Sequence, residues 1–178
     1  VEVDVPGIEL SEVVCWAIMS AEVASLHAIT FDRLDEYDTA FAERLVNGHF
    51  ISARDYLHAL RARAVVQDGF AAAFAEVDVL LTPGSPSVAP RFDDMLVDAG
   101  GPEPVPWLSV APRCTMAGNV TGVPALSFPT GFSDGLPVGG QVMAPPGRED
   151  RCLRVVGAFQ AATDVHRQMP SLPTAVPA

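Results

Sequence analysis

The sequence predicts an α/β fold, in which helices pack on a sheet of buried strands. Two apolar runs, at 125–128 and 138–143, are bounded by glycine and proline. Short apolar runs between turn residues are typical of strands that are buried on both faces of a sheet. Longer segments between such runs place apolar residues at helical spacing. Apolar residues make up 49% and charged residues 19% of the chain, so it is either a well-packed, alanine-rich domain or one whose surface is covered by further protein.

The first third of the chain predicts one strand and two helices. Valine alternates with acidic residues over 1–5, which predicts a strand that starts at the first residue, as though the element had been cut into. Ser11 is a suitable N-cap for a helix that continues to about Leu26. A second helix is expected from Asp38 or Thr39, ended by Gly48 at the C′ position.

The middle of the chain predicts a long helix, a strand and a long loop. Ser52 with Asp55 three residues later resembles a capping box for a helix that reaches about Ala75. Residues 77–81 form the next apolar run and predict a buried strand. Residues 84–113 are rich in proline and glycine and predict a long irregular surface loop, which in a domain of this size is usually functional or mobile.

The last third predicts a strand-turn-strand unit and a final helix. The first strand, 125–128, is closed by Pro129-Thr130-Gly131, and the second follows at 138–143. The final helix is expected to begin near residue 149 or 150. The proline-rich tail, 169–178, is expected to be disordered or to lie on the surface.

Composition excludes several classes of function. A net charge of −11 disfavours a nucleic-acid partner, and no run approaches the roughly 18 apolar residues of a membrane span. The acidic start lacks the positive region of a signal peptide. Three widely spaced cysteines without a CxxC fit free thiols in a reducing compartment, so we expect a cytoplasmic protein. The sequence has no phosphate-binding loop or metal-ligand cluster, so neither a cofactor nor a metal is expected.

Four ordered sequence blocks carry a resemblance to a known family. The strongest is T-x-x-x-N-x-T-G-x-P-A-x-x-x-P-x-G followed by G-L-P-V-G-x-Q, over Thr115–Gln141. The others are Arg44-Leu45 with Gly48, the segment 51–56, and the segment 78–83. In order and spacing they resemble the C-terminal third to half of amidase signature enzymes.

The resemblance implies a specific fold and chemistry. Members of this family are serine hydrolases that cleave carboxylic amide bonds, and they fold as an α/β/α layered domain around a large, mixed, twisted sheet. Their lysine acts through a cis-serine as general base for a nucleophilic serine, and backbone N–H groups form the oxyanion hole. On this basis residues 1–168 correspond to the C-terminal portion of a single amidase-type domain.

The residues of that triad are not found in this sequence. All 11 basic residues counted as Lys+Arg are arginine, so the chain has no lysine to act as the base. Gly139-Gly140 is followed by Gln141-Val142 rather than by the serines of the family's GGSSGGS-like loop, and no G-x-S-x-G elbow occurs. We therefore assign no catalytic residue here and expect the chain alone to be inactive.

The expected partners follow from the missing triad. They are a small-molecule amide substrate and either a missing N-terminal portion or a second copy of the chain. The alternative is a non-catalytic binding or assembly module that keeps the amidase fold.

Four residues are candidates for substrate binding. Pro83 and Gly84 follow a predicted central strand, where ligands of open α/β sheets often bind, although a turn that simply ends the strand explains them equally well. Thr115 and Asn119 are four residues apart and can share a helical face. For Asn119, a structural hydrogen bond is the alternative to substrate contact. Gln141 is expected to be a buried amide with its hydrogen bonds satisfied.

The substrate class is indicated only weakly. The tRNA-dependent amidotransferases of the family carry an acidic residue shortly before the threonine, whereas the segment 111–114 here has none, which disfavours glutamine. The apolar loop around Val105, Trp107 and Leu108 suits an aryl or alkyl amide, or it simply packs. The sequence leaves open which amide is the substrate and whether a second chain completes the enzyme.

Overall fold

Helices cover both faces of a small sheet in the computed structural model, which describes residues 1–98 and 100–170. The longer elements, in chain order, are α1 (Ser11–Leu26), α2 (Thr39–Gly48), α3 (Ala53–Glu76), β1 (Leu80–Pro83), β2 (Leu96–Val97), β3 (Val105–Pro106), α4 (Arg113–Thr121), β4 (Ala125–Ser133), β5 (Leu136–Met143) and α5 (Glu149–Ala162). The predicted α/β class is confirmed.

The main sheet has the strand order β1-β5-β4. Both neighbouring pairs are antiparallel, so among the described strands the sheet is not mixed. Leu80 pairs with Met143 and Thr82 with Gln141, which places the end of β1 beside the middle of β5. Within the described residues the other edge of β1 has no partner strand.

The β4–β5 hairpin turns at Asp134 and Gly135, both of which have left-handed backbone, with φ of 51° and 79°. This conformation matches the twist of a two-residue hairpin and is accessible at little cost to aspartate followed by glycine. The predicted turn at 129–131 is wrong, because β4 continues through those residues. A register shift between Pro129 and Gly131 absorbs the proline instead.

Two apolar clusters lie on opposite faces of the sheet and produce the predicted α/β/α layers. One cluster joins α1, α3 and α4 to Met143 and is centred on the fully buried Val66 and Phe70. The other joins Val142 and Phe128 to α5. Because consecutive strand residues point to opposite faces, Val142 and Met143 serve different layers.

Strand burial departs from the prediction. In β4 most residues are half-buried or exposed, and in β5 only residues 140–143 are all buried. The apolar runs therefore do not mark strands that are covered on both faces along their length. β1 also begins at Leu80 rather than at Val77.

The predicted strand over 1–5 is wrong, because these residues form no regular element. Val5 is buried and Val3 packs against the α1–α3–α4 cluster, whereas Glu2 and Asp4 are exposed. The alternation of valine and acidic residues therefore indicates a segment with one packed face. Such packing does not require hydrogen bonds to a neighbouring strand.

The helix boundaries are confirmed more often than the caps. Ser52 accepts from the Asp55 backbone N–H at 3.1 Å, which is one of the two bonds of a capping box. The Asp55 carboxylate accepts from the Ser52 hydroxyl at 2.6 Å, whereas in a capping box it would accept from the Ser52 backbone N–H. Ser11 is not an N-cap, because it lies inside the first turn of α1 and its side chain caps nothing. Gly48 is the last residue of α2 rather than the C′ residue, and a Cβ there would lie 2.2 Å from the Ser20 carbonyl oxygen. Its role is close contact between α1 and α2.

Over its described residues, the segment 84–113 is largely irregular and holds the short β2–β3 pair and the 3-10 turn Trp107–Ser109. Of the predicted tail, residues 171–178 lie outside the described residues.

Candidate functional site

Gln141 connects the two regions that contain the predicted site residues. Its side chain is 3% exposed, and its Nε2 donates to Thr82 Oγ1 at 3.2 Å and to the Cys114 carbonyl oxygen at 3.0 Å. Thr82 directly precedes Pro83, and Cys114 directly precedes Thr115. The buried, satisfied amide that the sequence predicts is confirmed, and it fixes the end of β1 against the first turn of α4.

The other end of α4 is held by side chains of α3. Arg63 Nε donates to the Val120 carbonyl oxygen at 2.6 Å, and Gln67 Nε2 donates to the Thr121 carbonyl oxygen at 3.1 Å. The last carbonyls of a helix lack partners within the helix, and cationic or amide donors satisfy them. Sequence reasoning missed both contacts, since nothing local relates residues more than 50 positions apart.

A cavity of about 360 Å³, called here the helix cavity, lies beside the Gln141 contacts. It is formed by the start of α1, the end of β1 and the first turn of α4. Its lining includes Ser11, Glu12, Thr82, Pro83, Arg113 and Cys114. It offers polar groups from three elements that are distant in sequence.

The chemistry of the helix cavity suits binding rather than nucleophilic attack. Arg113 and Glu12 form an ion pair at 3.4 Å, with both side chains about half exposed. The hydroxyl of Ser11 is shielded from solvent and has no partner among the described residues. Burial raises the pKa of the Cys114 thiol, which keeps it protonated and weakly nucleophilic at neutral pH.

A larger cavity of about 900 Å³, called here the loop cavity, lies under the segment 84–98. Gly84, Trp107 and Gly139 are among its lining residues. The Gly84 N–H donates to the Gly139 carbonyl oxygen at 2.8 Å, so β1 continues to pair with β5 up to the cavity. Pro83 and Gly84 are consecutive, yet they line different cavities.

The four predicted site residues do not meet in one cavity. Pro83 lines the helix cavity and Gly84 the loop cavity. Asn119 lines a third cavity of about 430 Å³, together with Cys15 and Arg63. The half-buried Thr115 donates from its hydroxyl to the Pro112 carbonyl oxygen at 3.0 Å, which secures the first turn of α4. The expected helical face is present, because both Thr115 and Asn119 lie in α4.

The histidines near α2 have structural partners. His27 Nδ1 is 3.0 Å from the Tyr37 hydroxyl, and His49 Nδ1 is 2.9 Å from the Leu45 carbonyl oxygen. Across residues 1–98 and 100–170, no group of three or more His, Cys, Asp or Glu side chains is arranged to hold a metal ion. In the same residues no single helix is long and apolar enough for a membrane crossing.

Comparison with known proteins identifies the family. The profile of the Amidase family matches residues 11–153. The chain belongs to the amidase family. A glutamyl-tRNA(Gln) amidotransferase subunit from Moorella thermoacetica is 41% identical over 117 residues, which are 66% of this chain and 23% of that protein. The corresponding protein of Thioalkalivibrio sulfidiphilus is 44% identical over 115 residues, 65% of this chain and 22% of that protein.

Solved amidase structures share the fold. A crystal structure of an amidase superposes with a TM-score of 0.83 at 25% identity over 90% of this chain and 37% of that one. A chain from a vestigial complex, described in connection with the origins of an s-triazine catabolic enzyme, gives 0.85 at 26% identity over 93% of this chain and 36% of that one. This amidase chain thus spans less than two fifths of each of these relatives.

Proposed function

We propose that this chain is the C-terminal part of an amidase-signature hydrolase that cleaves carboxylic C–N bonds other than peptide bonds. It supplies strands of the sheet and one wall of the substrate cleft. Family membership supports amide hydrolysis in general. The observation that carries the assignment of the wall is the pair of hydrogen bonds from Gln141 Nε2 to Thr82 and Cys114, because they join β1 to α4 at two residues that line the helix cavity.

The bond-breaking residues belong, in this proposal, to a part of the enzyme outside this chain. The family's general base is a lysine, and the sequence contains none. The cysteines do not replace the serine nucleophile, because burial raises the thiol pKa of Cys15, Cys114 and Cys152. The described residues supply binding groups and a rigid support for them.

The free edge of β1 is the proposed contact with the rest of the enzyme. Leu81 lies on this strand with a relative exposure of 64%, and a cavity of about 490 Å³ separates the edge from residues 1–5. An edge strand with free backbone groups and apolar side chains favours pairing with a further strand. We propose the N-terminal portion of the amidase domain as the partner and, from the three free thiols, the cytoplasm as the compartment.

The substrate, in this proposal, is a small uncharged amide rather than glutamine. Two of the relatives are subunits of glutamyl-tRNA(Gln) amidotransferases. The start of α4 in this chain carries Arg113 and no carboxylate of its own, and Glu12 of α1 already pairs with that arginine. Glutamine is therefore disfavoured by the lack of an acidic residue in the segment 111–114 before Thr115, although Glu9 also lines the helix cavity.

A reconstitution assay tests the proposal. Pure 178-residue chain, checked by intact mass, is assayed on a simple aromatic amide alone and after co-expression with the coding region upstream of it. We expect turnover only in the second case and its loss with a serine-directed inhibitor. Inhibitor-sensitive turnover by the chain alone contradicts the assignment of the triad. A clean monomer in light scattering, with no activity under either condition, favours the non-catalytic module.

A further inference from the structure

Arg63 is a half-buried arginine of α3 that forms no ion pair within the described chain. Eight other arginines in the same residues do form ion pairs. The Nε of Arg63 donates to the Val120 carbonyl oxygen at 2.6 Å, which holds the guanidinium against the end of α4. The buried polar atoms that lack a partner belong to other residues, so the unpaired Nη groups of Arg63 reach solvent. Their N–H donors are therefore available to a ligand.

Arg63 lines the cavity of about 430 Å³ that also includes Asn119, called here the arginine cavity. Residues of α1, α3 and α4 form it, and none of them lines the helix cavity or the loop cavity. Four side chains contribute apolar surface to its wall: Ile18, Met19, Val23 and Val120. An apolar wall with a few polar groups is the usual composition of a small-molecule site. The arginine cavity therefore suits a ligand that combines a hydrocarbon body with one polar end.

Asn119 supplies further donors beside Arg63. It lies in the last turn of α4, one position before the residue whose carbonyl oxygen Arg63 binds. Its side chain is exposed and has no hydrogen-bond partner in the part of the chain that the structure describes. A planar guanidinium binds a carboxylate through two parallel hydrogen bonds, and an amide N–H can donate to the same group. The two side chains together thus favour a planar anion with two oxygen atoms.

Glu22 limits which anion the cavity accepts. It is an exposed lining residue, and its Oε1 accepts from the Tyr56 hydroxyl at 2.9 Å. Because its negative charge offsets the positive charge of Arg63 at long range, charge alone does not retain an anion here. Short-range contacts are needed, namely the guanidinium with a carboxylate and the apolar lining with a hydrocarbon chain. Inorganic phosphate offers no hydrocarbon surface and lacks the second contact.

We propose that the arginine cavity binds an aliphatic monocarboxylate, whose oxygens accept from the Nη groups of Arg63 and the side-chain amide of Asn119. The hydrocarbon chain of the ligand packs on the apolar side chains of α1 and α4 that line the cavity. This inference goes beyond the proposed function, since it involves neither the helix cavity nor the loop cavity.

The two asparagines of the chain act as separate reporters in the experiment. In ¹⁵N-labelled chain, Asn47 and Asn119 each give one pair of side-chain N–H signals, and an Asn119→Ala variant assigns them. Three probes are titrated in turn: hexanoate, hexan-1-ol, which has the same chain length without the charge, and inorganic phosphate. We expect hexanoate to shift the Asn119 signals in a saturable manner and to leave those of Asn47, on α2, in place. The alcohol and phosphate are expected to shift neither.

Variants of α3 and α4 test the donors by calorimetric titration with hexanoate. Arg63→Gln is expected to weaken binding roughly ten- to hundredfold, the range for loss of a charged hydrogen bond. Arg61→Gln, the matched control, removes an exposed arginine two positions earlier and is expected to change the affinity by less than about twofold. Because Arg63 also holds the end of α4, Asn119→Ala provides a second test that leaves that bond in place. We expect Asn119→Ala to weaken binding roughly two- to tenfold.

Replacing Glu22 is expected to have the opposite effect. Glu22→Gln keeps an acceptor for Tyr56 and removes the negative charge, so hexanoate should bind roughly two- to fivefold more tightly. Glu43→Gln, at an exposed position in α2, is the control and should leave the affinity unchanged. A purely structural role of Glu22 does not predict tighter binding.

Four results overturn the inference. They are Asn119 signals that do not move, binding of hexan-1-ol or phosphate as tight as that of hexanoate, equal affinities in Arg63→Gln and Arg61→Gln, and weaker binding in Glu22→Gln. Signal dispersion in the ¹⁵N spectrum confirms that each variant is folded. The titration needs no turnover, so its outcome is independent of the reconstitution assay that tests the proposed function.

Discussion

Gln141 Nε2 donates to the carbonyl oxygen of Cys114 at 3.0 Å and thereby joins the middle strand of the sheet to the start of a helix 27 residues earlier. The first-turn carbonyl of a helix already accepts a bond from within the helix, so this contact uses its second lone pair. The same amide group donates to Thr82 on the neighbouring strand. One side chain therefore fixes the relative positions of β1, β5 and α4.

Replacing Gln141 by leucine is expected to destabilise the chain by about 1–3 kcal/mol, because it removes both hydrogen bonds within a buried site. The free energy of unfolding is measured by urea titration. Gln168→Leu, at an exposed position, is the control and is expected to change it by less than about 0.5 kcal/mol. Equal midpoints for the two variants would show that the Gln141 contacts contribute little.

Gly69→Ala and Gly157→Ala are expected to have opposite effects, although both glycines lie within helices. Alanine normally stabilises a helix interior by about 1 kcal/mol relative to glycine. A Cβ at Gly69 would lie 1.9 Å from the Pro6 carbonyl oxygen, whereas one at Gly157 has no atom within 4 Å. We expect Gly157→Ala to raise the melting temperature and Gly69→Ala to lower it by several degrees. A rise in both variants contradicts the close contact of Pro6 with α3.

Ser52→Ala is expected to cost about 1 kcal/mol of stability by removing the N-cap of α3. The Ser52 hydroxyl accepts from the Asp55 backbone N–H and donates to its carboxylate, and the latter bond lowers the pKa of that carboxyl group. Denaturant unfolding measures the change. Ser25→Ala, at an exposed position in α1, serves as the control. A cost that is no larger than the control's would mean that α3 starts equally well without its cap.

Stability is expected to fall in alkali, and Cys152 contributes to the fall. Burial, assisted by the charge of Glu149, raises the pKa of its thiol above the ordinary 9.0, so the folded state holds the proton more tightly than the unfolded state. That contribution is complete below the unfolded pKa and is lost as pH rises through the folded pKa. Unfolding free energies measured from about pH 7 to about pH 11 should decline less steeply in Cys152→Ala. Identical slopes for both proteins would contradict the assignment.

Local patterns predicted much of the secondary structure. The helices that became α1, α2, α3 and α5 were predicted within a few residues, because apolar spacing and capping residues are local signals. The hairpin turn was misplaced because Pro129 and Gly131 resemble a turn, whereas a bulge accommodates them within β4. Gly48 was also misinterpreted from a local pattern, in which a glycine ends a helix. Glycine is required there because a side chain would collide with the Ser20 carbonyl oxygen of α1.

The candidate site was only partly predictable. The Gln141 amide was recognised as buried and satisfied, but its partners lie 27 and 59 positions away and no sequence spacing specifies them. The capping of α4 by Arg63 and Gln67 could not be predicted either, because these residues are more than 50 positions from the carbonyl groups that they bind. Pro83 and Gly84 were both selected because they follow a predicted central strand, whereas in the structure they line two different cavities. Whether they, Thr115 or Asn119 contact substrate stays a prediction.

The position of Pro83 and Gly84 has a consequence for ligand binding. Pro83 and Gly84 are consecutive but line separate cavities. A molecule in the loop cavity and a group in the helix cavity would therefore both contact the end of β1. Any displacement of that strand by the first occupant alters the affinity for the second, and thermodynamics requires the reverse effect to be of equal size. The end of β1 would thus couple ligand binding in the loop cavity to ligand binding in the helix cavity.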